Sequence, residues 1–218
     1  MRKTTLFAIA MTALMCGIAA LHPAGAAQAA KPMAAPTAAA ASEPAAAGGA
    51  TAIRKMVGYQ LGEAQKKLLA LAEATPADKF AWRPATGVRS TGEVFMHVAS
   101  ANYYIPTMWG ATPAAGVNPQ TLEKDGADKA KTVAALKASF DYVTQAMAAV
   151  PDAEIQKSVQ VFGHTATVGD IFLGITTHAH EHLGQSIAYA RMGGITPPWT
   201  EEQEKAIKKE MNKSGSGH

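Results

Sequence analysis

The chain has 218 residues, 48% of them hydrophobic, and 20 Lys+Arg against 17 Asp+Glu for a formal charge of +3; this suits one domain with appendages, or two small domains. Two of the cations, Arg2 and Lys3, stand at the N-terminus, so the remainder is close to neutral and lacks the basic stripe that a nucleic-acid partner demands. Cys16, the single cysteine, lies in the same stretch, which excludes disulfides, zinc-finger ligand sets and iron–sulfur clusters from the rest.

Met1-Arg2-Lys3 is a short positive region and Leu6 to Ala20 an apolar run, followed by small-residue cleavage sites at Ala24-Gly25-Ala26 or Ala27-Gln28-Ala29. Residues 1–29 read as a signal peptide whose apolar run, Leu6 to Ala20, is too short for a membrane span, so the expected location is periplasmic or secreted, without stable membrane insertion after cleavage. A retained N-terminal anchor is one alternative; a lipoprotein acylated at Cys16 is the other, although Met15 stands where a small residue is wanted. Residues 30–50 are nearly all Ala, Pro and Gly and read as a flexible linker. The folded domain is expected over 51–212, with a disordered tail at 213–218.

Within 51–212 the apolar residues recur at spacings of three and four, the period of amphipathic helices. The first stripe is Val57, Leu61, Ala64, Leu68, Leu71, ended by Thr75-Pro76. The second is Val94, His97, Ala101, Tyr104, Met108. Ser90 and Glu93 make a capping box at its start, and Pro106, which has no N–H for the Asn102 carbonyl, kinks or ends it. The third is Val133, Leu136, Phe140, Val143, Met147, Val150, stopped by Pro151. The fourth is Ile171, Ile175, His178, His182, Gln185, Tyr189, capped by Thr167 and Asp170 and ended by Gly193-Gly194. Four such helices predict an all-α fold, a four-helix bundle. The links at 76–90 and 111–126 are long enough to be functional. Residues 155–166 alternate around Gly163 and admit a short hairpin, and 200–212 read as a charged, exposed helix.

Two stripes carry histidine where a core residue is expected. His178 and His182 are four apart and project side by side, so one ion can bridge them. His97, on a facing stripe, would supply a third nitrogen. Three imidazoles leave a coordination position for water or substrate, the pattern of a catalytic metal site, and imidazole suits Zn²⁺ or Ni²⁺. His97 alone would read as a hydrogen-bonded core histidine. His180 lies about 200° from His178 around the helix and should face away. Glu181, at the edge of the stripe, and His164, in the loop before the fourth helix, are the candidate catalytic proton carriers; solvated surface roles are the plain alternative for both. Gln185, one turn beyond His182, fits a hydrogen bond to a ligand histidine. Trp82 reads as packing over the bundle end, the cluster Tyr103, Tyr104 and Trp109 as core packing, and Gly184 as a site of close helix approach.

The order and spacing of Phe80-Ala81-Trp82-Arg83-Pro84, Ser90-Thr91-Gly92-Glu93-Val94-Phe95-Met96-His97, His178-Ala179-His180-Glu181-His182 and Tyr189-Ala190-Arg191-Met192-Gly193-Gly194 resemble the DinB/YfiT-like family over most of 51–198. The resemblance implies a four-helix bundle with a divalent metal held by one histidine of the second helix and an H-x-x-x-H pair of the fourth. That pattern falls on His97, His178 and His182. Related members include thiol-dependent transferases; an exported protein fits poorly with thiol cofactors that are mainly cytosolic. The expected function is metal-dependent hydrolysis or group transfer on an unidentified small molecule, with a non-catalytic metal-binding or stress-response module as the alternative. Besides the small molecule, a second copy of the chain is an admissible partner.

Overall fold

The computed structural model describes residues 43–215. The signal-peptide reading, most of the linker and the last residues of the tail lie outside them. The order is α1 (Glu43–Ala74), α2 (Thr91–Tyr104), α3 (Lys129–Ala148), strands β1 (Ser158–Val161) and β2 (His164–Thr167), α4 (Val168–Met192) and α5 (Thr200–Gly215). Short 3-10 turns occupy the links, notably Ile105–Trp109 and Pro119–Asp125. Helix α1 starts at Glu43, inside the stretch read as a linker: alanine is the best helix former, so an Ala-rich segment can extend a helix that core packing has already nucleated. No helix of the described residues is long and apolar enough to cross a membrane.

Sequence-encoded signals set most helix ends. The Ser90–Glu93 and Thr167–Asp170 capping boxes both form, and α2 gives way to a 3-10 turn just before Pro106. Phe162 and Gly163 join the strands with positive φ at both residues, the type I′ geometry of a two-residue hairpin. Two cations close helix C-termini across the bundle. Arg54 of α1 donates to the Met147 and Val150 carbonyls and pairs with Asp152, while Lys129 of α3 donates to the Glu73 and Thr75 carbonyls at the end of α1.

These contacts also fix helix direction. Arg54 meets the end of α3 and Lys129 the end of α1, so α1 and α3 are antiparallel. Arg54 stacks over Phe172 and the Gln60 carbonyl meets His180, so α1 and α4 run parallel. Gly126 abuts Gly92 and Asn102 bonds Ser139, which makes α2 and α3 parallel; Trp82 on Tyr189 and Trp109 on Phe172 make α2 and α4 antiparallel. The chain is an up-down-down-up bundle. The long 105–128 connection is therefore a crossover that returns the chain to the end where α2 began.

The stripes of α1, α3 and α4 lie in the core much as their spacing predicts: Val57, Leu61, Ala64, Leu68 and Leu71 are all 2% exposed or less. Helix α2 is different. Phe95, Val98, Ala99, Asn102 and Tyr103 are buried, and Tyr104, expected inside, is exposed. The cause is its central place: α2 packs on both α3 and α4, so the Val94–His97–Ala101 stripe faces only one of its neighbours. Gly184 is corrected too, since a Cβ there would meet nothing within 4 Å. The close approach belongs to Gly92, whose Cβ would stand 1.7 Å from the Gly126 carbonyl oxygen.

Candidate metal centre

Antiparallel packing of α2 on α4 brings His97 to the level of His178 and His182. One ring nitrogen from each lies within 4.8 Å of the others, and among the described residues no other His, Cys, Asp or Glu set forms such a group. The rings pack as three tilted or edge-on pairs with centroids 4.4–5.1 Å apart.

Hydrogen bonds orient two of the rings. His97 Nδ1–H donates to Glu123 Oε1 at 2.8 Å, and His182 Nδ1–H donates to Gln185 Oε1 at 2.8 Å. Both bonds select the tautomer whose Nε2 lone pair is free, the arrangement that metal-ligating histidines adopt. His97 Nε2 stands 3.2 Å from His178 Nε2. Two nitrogens bound at 2.0–2.1 Å to a tetrahedral ion are about 3.3 Å apart, so this pair is already at ligand spacing, and three imidazoles are a donor set that suits a divalent ion.

The electrostatics favour the neutral form of two of the rings. Burial, with the neighbouring His182, His97 and Arg89, pushes His178 down to about 3, and burial lowers His182 against the opposing bond to Gln185. Glu123 behaves in reverse. Burial alone would raise it, but hydrogen bonds from His97 and from Arg89, at 2.8 and 3.2 Å, hold it at about 2, so it is ionised. An anion therefore braces the outer edge of His97, and Arg89 braces the anion.

Glu123 was not singled out from the sequence. It sits on the 3-10 turn of the 111–126 link, and no periodicity marks it. The one available signal was that link's length. The turn is docked by backbone contact between Gly92 and Gly126, and Ser100 adds a hydrogen bond to the Pro119 carbonyl at 2.8 Å. Gln185 takes the role its spacing predicts, and passes its amide N–H to the Tyr189 hydroxyl at 3.1 Å. Trp82 meets Tyr189 edge-on at 5.6 Å. His180 faces away from the group, donating Nε2–H to the Gln60 carbonyl of α1 at 3.1 Å.

The two candidate proton carriers fare unequally. Glu181 is exposed, and its charge acts on His182. His164 is exposed at the start of β2, beyond the N-terminal end of α4. Ten residues separate Val168 from His178, about 15 Å along the helix, so the fold does not bring His164 to the three rings. Beside Glu123 and Gln185 an open, mostly polar cleft is lined by Arg83, Val88, Arg89 and Glu93.

Bundle and cluster define a helical protein whose metal-competent histidines come from the second and fourth helices. The chain belongs to the DinB superfamily, whose family model matches residues 60–186. Among solved structures it is similar to a DinB-like protein from Bacillus cereus ATCC 10987, with 16% identity, a TM-score of 0.56, and coverage of 67% of this chain and 93% of that one. It is also similar to the DinB-like protein YjoA of Bacillus subtilis, with 16% identity, a TM-score of 0.43, and coverage of 65% and 94%. No curated protein matches the chain.

Proposed function

We propose that this is an exported metal-dependent protein that acts on a small molecule by hydrolysis or group transfer. The observation that carries the reading is the convergence of three imidazole nitrogens within 4.8 Å, two of the rings oriented through Nδ1 by Glu123 and Gln185. His97, His178 and His182 would hold one divalent ion, Zn²⁺ or Ni²⁺, through Nε2. Such an ion supplies Lewis acidity, which polarises a carbonyl and acidifies a water or thiol.

The chain's own groups have separable tasks. Glu123, held at about 2, is too weak a base to take a proton near neutrality; it orients His97 and makes that ring a better donor. Glu181, exposed and next to His182 in the chain, is the candidate proton acceptor. The position of His164 supports a second reading, a non-catalytic metal-binding module, because it leaves the cluster without the imidazole base that hydrolysis would use.

Metal content and turnover separate the two. The chain, without an affinity tag, is dialysed against a weak chelator and its metal measured; about one ion per chain is expected. A ratio well below one, not restored by added metal, refutes both readings. Turnover of activated esters, amides or thiol conjugates that is lost in Glu181→Gln, with metal retained, supports the enzyme. Full metal with no turnover on the panel favours the module. Localisation is checked by fractionation, with the protein expected outside the cytoplasm and shortened near residue 29.

A further inference from the structure

The outer face of α1 is built unlike a solvated helix surface. Met56 and Tyr59 stand 57% and 67% exposed, and the adjoining α4 adds Leu173 at 49%. Lys55 and Glu63, four residues to either side of Tyr59, form no ion pair among the described residues. Gly58 and Gly62 interrupt the same helix, and a Cβ on either would meet nothing within 4 Å. Each glycine weakens the helix relative to alanine with no close contact among the described residues to explain it.

We infer that this face packs on itself: α1 of a second copy lies antiparallel against it, about a two-fold axis at Tyr59. Charge order sets the direction. Antiparallel, Lys55 of each copy stands level with Glu63 of the other, an opposite-charge match made twice. Met56 stands level with Gly62 of the second copy, where the absent side chain leaves room for the thioether. Parallel packing would instead oppose Lys55 to Lys55 and Glu63 to Glu63. A self-complementary patch of this kind closes as a two-fold dimer and goes no further. The histidine cluster lies on the other side of α4 and is not used, so the inference does not depend on metal binding.

Sedimentation velocity on the chain in reducing buffer, which removes disulfide pairing through Cys16, tests it. A concentration-dependent dimer is expected. Lys55→Glu should weaken it roughly tenfold, because each dimer then carries two like-charge matches. The double variant Lys55→Glu/Glu63→Lys should return the affinity to about the original value, since the opposite charges are restored in reverse order. A monomer at all concentrations overturns the inference. So does a dimer whose affinity is the same in Lys55→Glu, which would place the contact on another surface, and so does a double variant no tighter than the single one. Neither substituted residue belongs to the buried core: Lys55 is exposed and Glu63 half-buried.

Discussion

Replacing Glu123 by glutamine tests how the metal centre is held. The glutamate accepts one hydrogen bond from His97 and two from Arg89. Glutamine has nearly the same shape and keeps one acceptor oxygen, so the ring can stay oriented. The negative charge is lost, however. His97 becomes a poorer donor, and the Arg89 guanidinium loses its counter-charge close to where a cation would bind. Loss of such an outer partner costs ten- to a hundredfold in metal affinity, or about 1.4–2.7 kcal/mol. The fold should feel less. Glu123 is 33% and Arg89 41% exposed, so solvent screens their pair and its loss costs under about 1 kcal/mol, or ~2–4 °C in Tm for a domain of this size. Competition with a chromogenic chelator gives the affinity and circular dichroism gives the metal-free Tm. Affinity within twofold of the parent would refute the reasoning, because the anion would then have no influence on His97. A collapse in metal-free Tm would refute it differently, by showing Glu123 to be a structural support.

His97→Ala and His182→Ala should each abolish tight metal binding while His180→Ala leaves it, since His180 bonds the Gln60 carbonyl on the opposite side; equal loss in all three would break the assignment of ligands, and the chelator assay decides. Metal-free protein should stay helical by circular dichroism, because the core runs through all four long helices, and metal at a hundred times its Kd should add about 2.7 kcal/mol; a coil spectrum would contradict this. That metal-free form should lose stability as pH falls from about 6.5 toward 3. The unfolded chain takes up protons there that buried His178 refuses, and below the ordinary carboxylate range Glu123 adds to the loss as it is forced toward about 2. Urea midpoints that stay level over this range would refute it. Gly92→Ala should destabilise the fold by about 1–3 kcal/mol and weaken metal binding with it, because the new Cβ meets the Gly126 carbonyl and pushes away the turn that carries Glu123; calorimetry with an unchanged Tm would count against the close contact.

Local chemistry made much of this protein legible from sequence. A capping box needs only Ser90 and Glu93 three residues apart, and Pro106 cannot continue an α-helix past its first turn because it has no N–H to donate. The 3.6 period likewise placed His178, His182 and Gln185 on one face, because that angular relation is internal to a single helix. What lay between elements was not written locally. Helix direction depends on which ends meet, and it took Asn102 on Ser139 and Gly92 on Gly126 to show that α2 and α3 run parallel. The same contact carries Glu123 to His97 from 26 residues away, a pairing no period encodes. The burial of Tyr103 rather than Tyr104 follows from α2 having two packed neighbours, whereas a stripe read from sequence assumes one. His164 shows the reverse limit: nearness in the chain to α4 placed it near the site on paper, but a straight helix carries residues ten apart about 15 Å away from each other. Sequence set the faces of the helices, and tertiary packing decided which faces met.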